Sequence, residues 1–176
     1  MTFKVSQGSY TKGTYEDRLA GLYEEYYNKI AHYAYVRIGN RTEAEDIAGE
    51  VFLKALESLK SYEDRGLPMQ AWLFKIAHNL VVDHFRKVSK QTTVPIDNVE
   101  IKAESNPEDT AVINLEMDRV RTAMLNLSEE QREVLRLRFF GGLTSREAGD
   151  VLNKSDGAVR EMQRAALVKL RQLLGE

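Results

Sequence analysis

Two arginines and a glutamine near the C-terminus have the spacing needed to read duplex DNA. Arg160, Gln163 and Arg164 recur at intervals of three and four residues, so a helix would carry them on one face. In the major groove, Arg pairs bidentately with guanine and Gln pairs in the same way with adenine. The alternative is a helical hairpin whose charged face is only solvated.

A helix–turn–helix is the element that would present these side chains. Within residues 144–159, Gly149 supplies a small residue where two helices cross closely. Asn153 suits the turn, because Asn tolerates the left-handed conformation. Ser155 is expected to cap the second helix, with Val159 facing inward. The segment therefore favours a DNA-reading helix that begins near Ser155.

A second basic segment, residues 72–87, mixes aromatic side chains with an asparagine and a positively charged end. The unstacked bases of single-stranded or melted nucleic acid stack on aromatic faces beside cations. Trp72 and Phe85 at helical spacing are more often part of a hydrophobic core. Both interpretations remain open for this segment.

Three carboxylates, Glu43, Asp46 and Glu50, share one face of a predicted helix. Such a cluster suits acid–base or metal chemistry, a partner surface or a solvated face. His78 and His84 are six residues apart and lack the spacing of a metal-binding pair on a helix. The chain contains no cysteine, no glycine-rich phosphate loop and no nucleophile elbow. We expect no catalytic residue, no metal site and no cofactor.

The length of the chain indicates one or two small domains, and its charge is unevenly distributed along the sequence. The chain has 176 residues and a net charge of −2, but residues 91–118 contain Lys102 alone against seven acidic residues. Two nearly neutral or basic blocks flank this acidic segment, so an acidic total does not exclude nucleic acid. No apolar run is long enough to cross a membrane, and residues 1–10 contain no apolar segment of the kind found in signal peptides, so secretion is not expected. A cytoplasmic location is expected.

Helical periodicity runs through both blocks, and no stretch alternates as a strand does. The predicted fold class is all-α, with two small helical bundles joined by a flexible acidic linker and a helix–turn–helix in the second. The predicted divisions are a disordered tail at 1–13, an N-terminal helical domain at 14–88, the linker at 89–107 and a C-terminal helix–turn–helix domain at 108–176.

Local signals place several helix starts and one buried face. Capping boxes are predicted at residues 42–45, 128–131 and 144–147, and Asn106 is expected to cap a helix before Pro107. The apolar stripe of the second helix predicts a set of buried side chains: Ile47, Val51, Phe52, Ala55, Leu56 and Leu59.

Taken in order, these segments resemble bacterial RNA polymerase sigma factors of the sigma-70 family, in the extracytoplasmic function (ECF) subgroup. The resemblance is carried by residues 43–56, by residues 72–86, and by residues 127–139 with the helix–turn–helix behind them. It covers about residues 20–88 and 118–174. The absence of a domain between the two blocks is the mark of the ECF subgroup.

The resemblance implies a non-catalytic subunit that directs promoter-specific initiation. The N-terminal domain would dock on the clamp helices of the largest polymerase subunit through Glu45, Asp46, Glu50 and Phe52. It would bind and melt the −10 element through Tyr62, Arg65, Trp72, Lys75, His78, Asn79, Arg86 and Lys87. The C-terminal domain would bind the −35 element through Lys154, Ser155, Asp156, Ala158, Arg160, Glu161, Gln163 and Arg164.

The implied partners are the RNA polymerase core enzyme, promoter DNA in duplex and melted form, and an anti-sigma factor. The implied location is the bacterial cytoplasm, at the nucleoid and without membrane insertion. Gly149 stands where the family usually has Ala, at a helix-propensity cost of roughly 1 kcal/mol. Glu161 replaces a common Ser and would repel phosphate. The alternative function is a two-domain helix–turn–helix regulator that is not a polymerase subunit; a nucleic-acid enzyme is disfavoured because no metal or nucleophile constellation is present.

Overall fold

The protein folds as two helical bundles. The structure, a computed structural model, describes residues 12–62, 67–91 and 111–175, and within these ranges it contains seven α-helices and no strand. The N-terminal bundle consists of α1 (Lys12–Ile38), α2 (Arg41–Ser58) and α3 (Met69–Gln91), with a 3₁₀ turn at Leu59–Ser61. The C-terminal bundle consists of α4 (Ala111–Met124), α5 (Glu129–Leu135), α6 (Ser145–Leu152) and α7 (Asp156–Leu174), with a π-helical turn at Arg136–Phe140 after α5. The predicted all-α class is confirmed.

Two helices differ from their expected limits. Helix α1 begins at Lys12, inside the segment predicted as a tail, and α3 extends to Gln91, into the segment predicted as linker. Residues 1–11 and 92–107 of the predicted tail and linker, with the predicted cap at Asn106, lie outside the described residues. None of the described helices is long and apolar enough to cross a membrane.

Side-chain caps start four of the helices. The capping boxes at Ser128 and Thr144 are confirmed, with the backbone N–H of the third helical residue donating to each cap hydroxyl. The box predicted at Thr42 is wrong, because Asn40 is the cap and accepts from the Glu43 N–H at 3.1 Å. The reason is that Gly39, with φ of 75°, ends α1 and leaves Asn40 extended, so α2 begins before Thr42.

The core of the N-terminal bundle forms where α1, α2 and α3 cross. Tyr33, Val51 and Phe74 are fully buried there, and five of the six stripe residues predicted on α2 are buried. The prediction for Leu56 is wrong, since its side chain is 51% exposed. Leu56 lies one position beyond Ala55, and the 100° rotation between successive residues carries it off the narrow inward face.

The two bundles pack directly against each other, an arrangement that the sequence left open. One continuous apolar core runs from α1 through α3 to Leu137, Val151 and Val159 of the C-terminal bundle. Phe74 of α3 packs on Gly141, where a Cβ atom would lie 3.0 Å from the ring. A smaller apolar cluster of Leu127, Leu135 and Ala166 holds α7 within the C-terminal bundle.

Candidate nucleic-acid interface

Helices α6 and α7 form the predicted helix–turn–helix. Asn153 ends α6 in the left-handed conformation, with φ of 55° and ψ of 44°. Ser155 caps α7, and its hydroxyl accepts from the Ala158 N–H at 3.1 Å. Val159 is fully buried, as predicted. These contacts set the direction in which the first turns of α7 leave the bundle.

Gly149 is explained by a close backbone approach. A Cβ atom at this position would lie 2.4 Å from the carbonyl oxygen of Lys154, in the turn that follows α6. The Lys154 N–H donates to the Gly149 carbonyl at 2.9 Å, so the turn packs directly against the C-terminal part of α6. The residue that weakens the intrinsic helix propensity of α6 therefore permits the tight turn.

Arg160 and Arg164 lie on the exposed surface of α7, and each is paired with a carboxylate of its own helix. Arg160 Nη2 is 2.9 Å from Asp156 Oδ2, and Arg164 Nη2 is 2.6 Å from Glu161 Oε1. Both arginine side chains are 68% exposed, so these ion pairs are hydrated and screened by salt. The hydrogen bond between Glu161 and Arg164 lowers the pKa of the acid and raises that of the base. Phosphate would have to displace only weakly held carboxylates.

The remaining predicted −35 residues lie around these two arginines. Gln163 is partly buried and accepts from Arg138 Nε at 2.8 Å, which turns its amide oxygen toward the π-helical turn. Lys154 Nζ lies 2.8 Å from Glu130 Oε1. Asp156 accepts a hydrogen bond from the Ser145 hydroxyl in addition to its ion pair. Ala158 is exposed on the first turn of α7.

The exposed part of α3 carries three of the predicted −10 residues. Asn79, Arg86 and Lys87 are exposed, and Arg86 Nη2 lies 2.5 Å from Asp83 Oδ1 of the same helix. An amide and two cations along one helix could contact a base edge and the phosphates beside it.

An aromatic pair lies at the start of α3. The ring centroids of Tyr62 and Trp72 are 4.8 Å apart, and the Tyr62 hydroxyl donates to the Leu67 carbonyl at 2.8 Å. Both side chains are partly buried, so the two proposed roles of Trp72, in the core and in base stacking, are compatible here. Arg65 lies outside the described residues.

Lys75 and His78, also predicted to contact −10 DNA, point toward the C-terminal bundle. Lys75 Nζ donates to Asn153 Oδ1 at 3.3 Å and to the Asp150 carbonyl at 3.4 Å. His78 Nδ1 lies 3.0 Å from Glu133 Oε1. The described −10 residues therefore fall into three groups: the exposed residues of α3, the partly buried aromatic pair, and the two residues that contact the other bundle.

The predicted polymerase-docking residues also divide. Glu45, Asp46 and Glu50 are exposed on α2, where Glu45 pairs with Arg41 at 2.9 Å. Phe52 is only 7% exposed, and its ring packs edge-on against that of Tyr23 at 4.9 Å. Phe52 therefore fixes α2 on α1 and is not part of the acidic surface.

Leu53 is a surface residue that the sequence analysis missed. It is 56% exposed and follows Asp46 and Glu50 along the same helical stripe. A signal was available, because Leu53 lies at helical spacing from both carboxylates. No group of three potential metal-ligating side chains occurs in the described part of the chain. An exposed leucine among carboxylates favours the partner-surface interpretation of this face.

A buried polar cluster joins the two bundles; its members, here called the Glu133 cluster, are Tyr33, Arg37, His78, Glu133 and Arg136. Glu133 is only 3% exposed and accepts a hydrogen bond from the Tyr33 hydroxyl. Arg136 Nη1 donates to Glu133 Oε2 at 3.1 Å, and Arg37 Nη1 approaches the same oxygen to 3.5 Å. Sequence analysis missed the cluster because charged helical residues are usually solvated.

Electrostatics keep Glu133 ionised despite its burial. Desolvation alone would raise the pKa of this carboxyl. The hydrogen bond with His78 and the charges of Arg37 and Arg136 outweigh desolvation and lower the pKa to about 2. Burial, reinforced by the Glu133 charge, raises the pKa of Tyr33 well above its usual value, so its hydroxyl remains a donor. At neutral pH Glu133 is an ionised carboxylate compensated by Arg37 and Arg136. The two arginines also pair with Glu129 Oε1, at 3.4 and 2.9 Å respectively.

Comparison with known proteins identifies both bundles. A family model described as Sigma-70 region 2 matches residues 22–91, and one described as Sigma-70, region 4 matches residues 123–172. The ECF RNA polymerase sigma factor BldN of Streptomyces coelicolor is 34% identical over 162 residues, which are 90% of this chain and 61% of that protein. The ECF RNA polymerase sigma factor ShbA of Streptomyces griseus is 38% identical over 134 residues, covering 73% of this chain and 70% of that protein.

Solved structures share the fold across both bundles. CnrH, in complex with the cytosolic domain of CnrY, gives a TM-score of 0.66 at 25% identity and covers 91% of this chain and 89% of that chain. RpoE of Bartonella quintana, in complex with the anti-sigma factor NepR, gives a TM-score of 0.69 at 23% identity, covering 91% of this chain and 98% of that chain. The chain belongs to the sigma-70 family of RNA polymerase sigma factors, in its ECF group.

Proposed function

We propose that this sigma factor directs polymerase to promoters by dividing recognition between its two bundles. The C-terminal bundle, including α7, binds the −35 element as duplex. The N-terminal bundle binds and melts the −10 element through α3 and docks on the polymerase clamp helices through α2. The protein has no catalytic chemistry of its own and acts in the bacterial cytoplasm, at the nucleoid, where polymerase and promoters lie.

The observation that carries the −35 assignment is the geometry of the helix–turn–helix. The left-handed Asn153 and the Ser155 cap direct the first turns of α7 outward. Arg160 and Arg164 lie on those turns with most of their side-chain surface exposed. A helix of this kind places its N-terminal residues against base edges in the major groove.

The −10 assignment is supported by the exposed groups of α3. Asn79, Arg86 and Lys87 offer an amide and two cations, and the Tyr62–Trp72 pair supplies aromatic surface at the start of the helix. Melting exposes base edges and faces, which amide, cationic and aromatic side chains can contact. We therefore propose that Asn79 contacts an unstacked base.

The docking assignment is supported by the character of α2. Asp46, Glu50 and Leu53 lie on one exposed stripe of α2. We propose that these carboxylates meet basic side chains of the clamp helices while the leucine is buried at the contact. An anti-sigma factor is a further proposed partner; CnrH, which is 25% identical, was solved bound to a protein domain.

The decisive experiment is transcription in vitro from fragmented genomic DNA with core polymerase and this protein, with transcript 5′ ends mapped by sequencing. Transcripts that start downstream of shared −10 and −35 sequences are the expected result. If start sites are the same as with core polymerase alone, the protein is not a promoter-specificity subunit.

A docking variant tests the assignment of α2. Asp46→Arg is expected to weaken core binding at least tenfold by reversing one interfacial charge, with unchanged helicity because the residue is exposed. Asp118→Asn, which removes an exposed ion pair within α4, is the matched control. Core affinity equal to wild type in Asp46→Arg would remove α2 from the docking surface.

A further inference from the structure

Arg160 is the last member of a chain of polar contacts that joins the two helices of the helix–turn–helix. The Ser145 hydroxyl, on the first residue of α6, donates to Asp156 Oδ1, on the first residue of α7. The other carboxylate oxygen, Asp156 Oδ2, lies 2.9 Å from Arg160 Nη2, one turn farther along α7. Each oxygen of Asp156 therefore has its own partner, and the carboxylate connects α6 to the guanidinium of Arg160.

The Asp156–Arg160 pair is held more firmly than an ordinary surface ion pair. A hydrogen bond from another helix restrains the Asp156 side chain, and the acid precedes the base by four residues, which is the favourable order on a helix. Asp156 also lies in the first turn of α7, where the helix dipole stabilises a negative charge. The carboxylate is consequently in place before DNA binds.

The neighbouring pair of Arg164 and Glu161 lacks such an anchor. Glu161 is 64% exposed, against 42% for Asp156, and among the described residues its side chain accepts hydrogen bonds from Arg164 alone. Its side chain is also longer and loses more rotamer freedom when it is ordered. The two arginines are equally exposed, but only the partner of Arg160 is fixed by a second helix.

A restrained guanidinium is suited to reading one base edge. Arginine carries five N–H donors in a planar fork, so the contact with Asp156 leaves donors free to pair bidentately with O6 and N7 of guanine. An arginine that is already ordered loses less conformational entropy when it meets guanine. Its fixed orientation also hinders it from turning to another acceptor when a different base pair occupies the position.

We propose that Asp156 is a positioning residue for sequence recognition: anchored by Ser145, it holds Arg160 in the orientation that reads guanine in the −35 element. This inference rests on the function proposed for the C-terminal bundle. The carboxylate lowers the affinity for every DNA sequence, because it repels phosphate, and it raises discrimination at one base pair. Removing its charge should therefore raise general affinity and lower selectivity.

The experiment measures binding of the full chain to −35 duplexes that differ by one base pair, using fluorescence anisotropy. The base pair read by Arg160 is the one at which Arg160→Ala abolishes the preference. At that position Asp156→Asn should lower the ratio of the affinities for guanine and non-guanine duplexes by roughly two- to tenfold, while the affinity for the non-guanine duplexes rises.

Two further variants separate the anchor from the charge. Ser145→Ala retains the carboxylate and should lower the same ratio by a smaller factor without raising general affinity. This variant keeps the test valid if Asp156→Asn fails to fold. Glu161→Gln is the matched control, since it removes one carboxylate from the same helix. It should raise the affinity for all duplexes and leave the ratio unchanged.

A second measurement follows Arg160 without DNA. Nitrogen-15 relaxation of the arginine Nε–H groups reports side-chain order in the free full chain. In the wild-type protein Arg160 should be more ordered than Arg164. Asp156→Asn and Ser145→Ala should each lower the order of Arg160 toward that of Arg164.

Three results would overturn the proposal. The first is wild-type discrimination at the Arg160 position in the folded variants Asp156→Asn and Ser145→Ala. The second is an even loss of affinity across all duplexes, which would limit both residues to holding the fold or contacting phosphate. The third is equal order of Arg160 and Arg164 in the wild-type protein. By contrast, a wild-type protein that binds every duplex alike would contradict the function proposed for the C-terminal bundle, while relaxation would still report whether Asp156 orders Arg160.

Discussion

The surface of α7 and the contact between the bundles use the same residue types with opposite consequences. On α7, Arg164 and Glu161 form an ion pair in water, and both side chains are more than 60% exposed. At the contact, Arg136 and Glu133 form an ion pair with the carboxylate only 4% exposed. Burial raises the cost of separating the second pair, because an isolated charge would be left desolvated. The first pair exchanges readily with solvent or phosphate.

This difference would allow one chain to use arginine for two purposes, the proposed recognition of DNA and the stabilisation of the fold. The exposed arginines of α7 remain available to DNA because nothing in the fold requires their present partners. Arg37 and Arg136 are unavailable to a ligand, since Glu133 needs both charges to remain ionised in the contact. Whether an arginine recognises DNA or stabilises the fold is therefore decided by the exposure of its partner.

The largest expected effect is on stability. Glu133→Ala should lower the free energy of unfolding by up to about 3–5 kcal/mol, because Arg37 and Arg136 lose their buried carboxylate. Among the described residues, each arginine then keeps only the half-exposed Glu129 as a carboxylate partner. Urea denaturation followed by circular dichroism measures the loss. Glu161→Ala is the matched control on α7 and should leave the midpoint unchanged. Equal midpoints for the two variants would abolish the distinction between the buried and exposed pairs.

Acid should weaken the buried cluster in a defined pH range. The pKa of Glu133 is lowered from 4.5 to about 2 in the folded protein, so the unfolded chain binds its proton first as the pH falls. The stability that Glu133 contributes is therefore complete above pH 4.5 and is lost as the pH falls toward 2. Glu133→Gln should have a flatter stability profile than wild type across this range. Parallel profiles would mean that another carboxyl accounts for the acid sensitivity.

The two exposed arginines of α7 should differ in what they recognise. Arg160 is nearer the start of the helix, so Arg160→Ala should cost about 1–3 kcal/mol of −35 binding and flatten preference at one base position. Arg164→Ala should weaken all sequences evenly and reduce the salt slope by about one. Fluorescence anisotropy with single-base variants at two salt concentrations separates the cases. If both variants lose affinity equally for all sequences, this face of α7 contacts only phosphates.

Local geometry was predictable because local residues determine it. The roles of Asn153, Ser155 and Val159 follow from the turn, the cap and the helical period, and the structure confirms each. The predicted buried face of α2 was one residue too wide, at Leu56. A pattern of apolar residues does not reveal how much of the α2 surface the neighbouring helices cover.

The contact between the bundles was not predictable from the sequence. Tyr33 and Glu133 are 100 positions apart, so no local pattern relates them. Glu133 also precedes Arg136 by three residues, a spacing typical of an exposed ion pair on a helix. Its burial results from the docking of α1 and α3, which is a tertiary event. The cluster could be recognised only after both bundles were placed.

A substitution at Gly149 tests how tightly α7, the proposed −35 helix, is positioned. Gly149→Ala should lower stability by about 1–3 kcal/mol, since its Cβ would lie 2.4 Å from a backbone oxygen and force the turn to move. Gly157→Ala on α7 is the matched control; its Cβ meets nothing within 4 Å, and the change should stabilise by up to about 1 kcal/mol. Thermal unfolding compares the two. A Gly149→Ala protein as stable as wild type would mean that the turn tolerates an alternative path.

The smallest expected effect concerns the affinity of the exposed α7 surface for DNA. Glu161→Gln removes the carboxylate with which Arg164 pairs, so Arg164 no longer has to leave an ionic partner to bind phosphate. The substitution also removes a negative charge of the protein that would repel the DNA backbone. Affinity for −35 duplex should rise by about two- to fivefold, and the gain should shrink as salt increases because the charge is exposed. Stability should not change, in contrast to Glu133→Gln. Anisotropy titrations at low and high salt measure the gain. A gain independent of salt would show that Glu161 acts by packing against DNA and not by its charge.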